Sequence, residues 1–199
     1  MPENLDSDLN TESGKQVRQI KKKVLILGEG GVGKTTLLYR YVNKVFLDST
    51  KMTIGSDFFV KKLKTIDEQY ENRLTLLLWD FAGQERFRFI LKDYTKGAEG
   101  VILVFDLVRY NTLQKLFNWI DILKEGGVWG NPDVKFYLVG SKRDLVPGNE
   151  QAIPTDIIED FKKEFNIDSY FETSARDGTG IEDLFRTVAK SLIAQEDQK

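Results

Sequence analysis

The chain of 199 residues contains neither cysteine nor histidine. Without cysteine, disulfide scaffolds, thiolate zinc sites and cysteine nucleophiles are excluded. Without histidine, the commonest metal ligand and the usual neutral-pH base are missing. Any catalysis must rest on carboxylates, amides, Lys, Arg and a bound metal. No apolar run approaches the ~18 residues needed to span a bilayer. Residues 1–19 are polar and lack the apolar centre of a secretory signal. Pro2 stands where myristoylation needs Gly, and prenylation and palmitoylation need cysteine, so no lipid anchor is expected. An excess of positive charge is also missing: 29 Lys and Arg face 31 Asp and Glu, a net charge of -2. Nucleic acid is therefore not an expected partner. The expectation is a soluble, cytoplasmic monomer that meets membranes only through partner proteins.

What is present is ordinary globular material. Hydrophobic residues make up 41% and charged residues 30%, enough for one domain with a sizeable core. Residues 1–20 read as a disordered N-terminal extension, 21–194 as the domain, and 195–199 as a short tail. Arg18, Lys21, Lys22 and Lys23 form a basic run, expected to be a solvated lead-in to the first strand. Val24–Leu27 is an unbroken apolar run, the mark of a buried parallel strand. Lys34–Lys44 shows helical spacing through Leu37, Leu38 and Tyr41, and Val45–Gly55 reads as a loop. Asp57–Thr65 and Arg73–Asp80 read as an antiparallel pair joined by the polar turn Asp67–Asn72. Strands then follow at Val101–Asp106, Val134–Gly140 and Ser169–Glu172. Helices are expected from about Asn111 to Lys124, at Thr155–Phe165 and at Ile181–Ala194. The Gly-rich loop at 126–130 carries Trp129, expected to fold onto its own helix. The alternation predicts an α/β fold: a six-stranded, mostly parallel sheet with one antiparallel strand and about five helices on both faces.

In such a sheet, ligands sit beyond the carboxyl ends of the strands. The first of those ends carries Gly28-Glu29-Gly30-Gly31-Val32-Gly33-Lys34-Thr35, which fits G-x-x-x-x-G-K-[ST]. Glycines let the backbone turn sharply and aim its N–H groups inward, into an anion nest completed by a helix N-terminus. Lys34 can put its charge on the β- and γ-phosphates. The Thr35 hydroxyl can coordinate Mg²⁺, a hard cation that prefers oxygen, and Thr36 belongs to the same turn. The fold expectation is thus a P-loop NTPase.

Three later segments choose the nucleotide and the chemistry. Trp79-Asp80-Phe81-Ala82-Gly83-Gln84-Glu85 ends a strand with an acid and then offers Gly and Gln. Asp80 can hold Mg²⁺ through a water, the Gly83 N–H can sense a γ-phosphate, and Gln84 can orient an attacking water. Gly30 leaves room for that glutamine. Gly140-Ser141-Lys142-Arg143-Asp144 ends a later strand. There the Asp144 carboxylate can accept two hydrogen bonds from guanine, a donor pair that adenine lacks. The Lys142 stem can cover the base, and Thr173-Ser174-Ala175 can offer a backbone N–H to its O6.

Taken in order, these motifs resemble the small GTPases of the Ras superfamily, most of all the Rab branch, over about Lys22–Leu192. The resemblance implies a small G-domain that binds GTP or GDP with Mg²⁺ and hydrolyses GTP slowly without an activating protein. Thr53-Ile54-Gly55-Ser56-Asp57-Phe58 resembles the first-switch signature, with Thr53 joining the metal beside Thr35 and Asp80. Glu85-Arg86-Phe87-Arg88-Phe89-Ile90 resembles the second. Phe46 is implied to pack near the guanine. Phe58, Trp79 and Tyr94 are implied to meet effectors, an exchange factor or an activating protein. Arg176 replaces the usual Lys of the S-A-K motif, with little consequence because the backbone carries that contact. Ser141 stands where such proteins carry Asn, a residue similar to a clamp between base and phosphate loop. Serine is too short to reach both, so faster nucleotide exchange is expected. No arginine finger within the chain is evident.

Overall fold

A computed structural model describes residues 14–47, 53–83, 93–148 and 152–198. Six strands form one sheet in the order β2-β3-β1-β4-β5-β6. They are β1 (Gln16–Leu27), β2 (Ser56–Ile66), β3 (Tyr70–Phe81), β4 (Gly100–Asp106), β5 (Lys135–Ser141) and β6 (Ser169–Glu172). Only β2 runs antiparallel, paired with β3 so that Phe58 lies opposite Trp79 and Asp57 opposite Asp80. All other pairings are parallel. Five α-helices occur among the described residues: α1 (Lys34–Asn43), α2 (Tyr110–Gln114), α3 (Leu116–Glu125), α4 (Thr155–Glu164) and α5 (Ile181–Ala194).

Strand alternation sorts the apolar side chains into two cores. Leu25, Leu103, Phe105 and Leu138 face α3 and α4, where Trp119, Ile120, Leu123, Ile158 and Phe161 close the layer. Ile26, Leu76, Ile102 and Val139 face α1 and α5, meeting Leu38, Tyr41, Leu184, Phe185 and Val188. Tyr41 and Phe185 stack with ring centroids 3.7 Å apart. Every residue of β4 is buried, as befits a central strand covered on both faces.

Several expectations need correction. Strand β1 starts at Gln16, well ahead of the apolar run, so part of the expected extension is sheet, paired from Gln16↔Tyr70 onward. Residues 1–13 lie outside the described residues. The basic run is not a solvated lead-in. Lys22 is 1% exposed and bridges Glu99, at 2.7 Å, and Glu196. Lys23 lies 4.9 Å from the Trp79 ring centroid and donates to the carbonyls of Tyr94 and Lys96. Ladder pairing and acid partners satisfy what the polar sequence suggested water would. The expected tail is likewise attached: Glu196–Gln198 form a 3-10 turn, and Arg18 pairs with Asp197 at 2.5 Å.

The expected single helix after β4 is two. At Lys115 the bonding tightens, with Asn118 N–H donating to the Lys115 carbonyl, a three-residue spacing. The junction lets Leu113 and Leu116 both reach the core. Trp129 also departs from expectation. Its backbone N–H bonds the Leu123 carbonyl of its own helix, but its ring also packs on Phe136 of β5 and on Phe165 beyond α4, with centroids 4.5 and 6.0 Å away.

Candidate functional site

The phosphate loop leaves β1 at Gly28, where a Cβ would fall 2.1 Å from the Val104 carbonyl oxygen of the neighbouring strand. Only glycine fits that approach. The loop closes at Gly33, with φ 100°, and α1 begins at Lys34. The Lys34 ammonium donates to the carbonyls of Gly28, at 2.7 Å, and Glu29, at 3.0 Å. Burial pushes the Lys34 pKa down to about 8, against the opposing pull of Asp80 and Glu29. An anion beside it would raise that pKa again.

At the metal end, the Thr35 hydroxyl lies 2.9 Å from the Thr53 hydroxyl and donates to Asp80 Oδ2. Asp80 is fully buried, and its Oδ1 has no hydrogen-bond partner among the described residues. Burial pushes its pKa up to about 6, although Lys34 and the Thr35 hydroxyl pull it down. Two hydroxyls and an under-satisfied carboxylate make a hard-oxygen donor set that fits Mg²⁺. No group of three or more acidic, His or Cys side chains among the described residues could hold an ion by itself. Oxygen atoms from a ligand must complete the shell.

Gly83 lies directly on the phosphate loop. A Cβ there would fall 2.1 Å from the Gly30 nitrogen and 2.2 Å from the Glu29 carbonyl carbon. Among the described residues, nothing lies within 4 Å of a Cβ built on Gly30. Gln84 and the second-switch residues 85–90 lie outside the described residues.

At the other end, a cavity of about 490 Å³ opens between Gly31, Val32, Gly33, Thr36 and the loops after β5 and β6. Phe46, Ser141, Lys142, Asp144, Ala175 and Arg176 line it. The Ser174 hydroxyl, wholly buried, donates to Asp144 Oδ1 at 2.7 Å and so orients the carboxylate. Such a volume suits a base and sugar. Leu47 and Leu145 also line the cavity and were not singled out from the sequence. Single apolar residues in loops carry no motif signal.

Ser141 sharpens the expected departure. Its hydroxyl lies 2.6 Å from the Val32 carbonyl and 2.7 Å from that of Phe105. The hydroxyl reaches the phosphate loop, and the base half of the tether is the half expected to be missing. Sequence reasoning missed Arg109. Its guanidinium donates to Asp106 Oδ2 at 2.7 Å and to the Gly31 carbonyl at 2.9 Å.

On the outer face of β2 and β3, Phe58, Trp79 and Tyr94 form one aromatic patch. Trp79 is 5.2 Å from Phe58 and 5.8 Å from Tyr94 between ring centroids. Phe58 is 46% exposed and Tyr94 42%. Phe58 and Tyr94 are therefore surface, whereas Trp79 is partly buried against the core.

Residues 23–194 match the Ras family. The chain belongs to that family. It is 37% identical over 184 residues to the Ras-related protein Rab7 of Cenchrus ciliaris, covering 92% of this chain and 87% of the relative. It is 36% identical, with the same coverage, to the Ras-related protein RABG3f of Arabidopsis thaliana. The Ypt/Rab-type GTPase ypt7 of Pyricularia oryzae is also 36% identical, again over 92% of this chain and 87% of the relative. The protein is thus a Rab-like small GTPase, a GTP-binding switch of the small G-protein type. Its ordered motifs, each after a strand end, are those expected of the family. No helix among the described residues is long and apolar enough to cross a membrane.

Proposed function

We propose that this Rab-like GTPase binds GTP with Mg²⁺ across the two ends of the site and hydrolyses it by the following division of labour. Lys34 and the N–H groups of Gly30–Thr36 hold the phosphates. Thr35 and Thr53 ligate the metal, and Asp80 holds it through its coordination shell. Mg²⁺ supplies charge stabilisation to the transferring phosphoryl group when bound. Gly83 reports the terminal phosphate, and Gln84 orients the attacking water. Asp144, aimed by Ser174, selects guanine, with Lys142, Phe46, Ala175 and Arg176 around the base. The observation that carries this reading is the Thr35 hydroxyl. It links Thr53, from the first-switch segment, to Asp80 at the end of β3. Loss of the terminal phosphate would release Thr53 and Gly83 together.

The Phe58–Trp79–Tyr94 patch, exposed at Phe58 and Tyr94, adjoins the first-switch segment through Phe58. Effectors, an exchange factor and an activating protein would read the switch there. Single-turnover hydrolysis of bound GTP tests the chemistry. Gln84→Leu is expected to retain GTP and hydrolyse it poorly, and wild-type turnover by that variant would remove Gln84 from the mechanism.

A further inference from the structure

Each N–H of the phosphate loop shares a rigid peptide plane with the carbonyl of the residue before it. Fixing an outward carbonyl therefore aims the next N–H. Lys34 fixes the carbonyls of Gly28 and Glu29. Two more are fixed from outside the loop. Ser141 bonds the Val32 carbonyl, and Arg109 Nη2 bonds that of Gly31. Arg109 is itself held, because its Nε donates to Asp106 Oδ2. That carboxylate is 1% exposed and also pairs with Lys142 at 2.8 Å. Burial favours the neutral acid. The Lys142 ammonium, the Val108 N–H and the Arg109 guanidinium outweigh it and hold the carboxyl below its usual range. A second brace comes from the same part of the chain, Lys115 Nζ lying 3.4 Å from Glu29 Oε2.

We propose that Arg109 is a positioning residue for nucleotide retention: gripped by Asp106, it fixes the Gly31 carbonyl and so presets the Val32 N–H toward the phosphates. Asp106 then serves both ends of the site, since it holds Arg109 on the phosphate loop and Lys142 on the base loop. A guanidinium is needed because two of its nitrogens span two acceptors in a fixed fork, which a single ammonium on a flexible stem does not reproduce. The inference rests on the nucleotide-site reading given above.

The test compares wild type, Arg109→Ala and Arg109→Lys as the full chain with Mg²⁺. It measures GDP release and the affinities for GDP and GMP. Arg109→Ala is expected to release GDP about tenfold faster, the scale of one lost charge-assisted hydrogen bond. Its preference for GDP over GMP should shrink by a similar factor, because GMP lacks the second phosphate that the loop engages. Arg109→Lys should fall nearer to alanine than to wild type. Release within about twofold of wild type, or equal losses for GDP and GMP, would overturn the proposal and leave Arg109 a merely structural residue. Full rescue by Arg109→Lys would overturn the fork argument. Failure of wild type to bind GDP would instead overturn the nucleotide-site reading itself.

Discussion

The two ends of the site are built differently. The base end hangs on β4 and β5, where all of β4 and nearly all of β5 are buried. Its polar groups are already engaged: Ser141 with Val32, Ser174 with Asp144, and Asp106 with Arg109 and Lys142. The metal end depends on β2, an edge strand exposed along most of its length. There, among the described residues, Asp80 Oδ1 is buried without a partner, and Thr53 meets the rest of the site through a hydroxyl contact. Buried, satisfied networks are rigid, and thinly packed segments open at low cost. The difference teaches that, in the function proposed above, recognition of the base is preformed, whereas the end that would sense the terminal phosphate is left under-satisfied. A switch needs that asymmetry, because only the under-satisfied end can gain differentially from its ligand.

The comparison can be broken most severely at Asp144. Asp144→Ala removes two hydrogen bonds to guanine, so GTP affinity should fall about a thousandfold, as titration with labelled GTP would show. A wild-type affinity would mean the base end does not read guanine. The metal end predicts a pH effect. Asp80 has its pKa pushed up to about 6, so below that pH a proton competes with Mg²⁺ for the carboxylate. Mg²⁺ affinity of the GDP-bound protein should fall about fivefold from pH 6 to pH 5, beyond the change seen for free GDP, and stay level above pH 7. Calorimetric titration at several pH values would detect this, and a flat profile would show that Asp80 does not engage the ion. At the base end, Ser141→Asn would restore the unmade half of the tether. Nucleotide dissociation should slow by roughly threefold to tenfold, the value of one modest hydrogen bond. An unchanged rate would contradict the assignment. The smallest effect is expected at Arg176. Arg176→Lys should alter dissociation by less than about twofold, since the backbone carries that contact.

Much of this arrangement was legible in the residues. Gly28–Thr35 specified the phosphate loop because so few backbones place N–H groups inward, and glycine marks them. The apolar runs Val24–Leu27 and Val101–Asp106 marked central strands because burial on both faces leaves no room for polar alternation. Thr53 and the aromatic trio were legible only through resemblance, since a lone threonine in a loop has no spacing of its own. What stayed hidden depended on tertiary pairing. Lys22 sits in a run that looks solvated, yet acids from distant segments neutralise it. Arg109 gave no motif. The available signal was an acid at the end of a wholly apolar strand with arginine three residues later, a spacing that allows an ion pair but does not name the carbonyl it reaches. The break at Lys115 was hidden because the apolar spacing continues through it.

The central claim is that one preformed end and one ligand-completed end together hold a guanine nucleotide. The most direct test is to identify the nucleotide retained by the purified protein and to measure its release with and without Mg²⁺. The account predicts GDP or GTP, slow release with Mg²⁺ and markedly faster release once the ion is chelated. Retention of an adenine nucleotide, or release that ignores Mg²⁺, would contradict it.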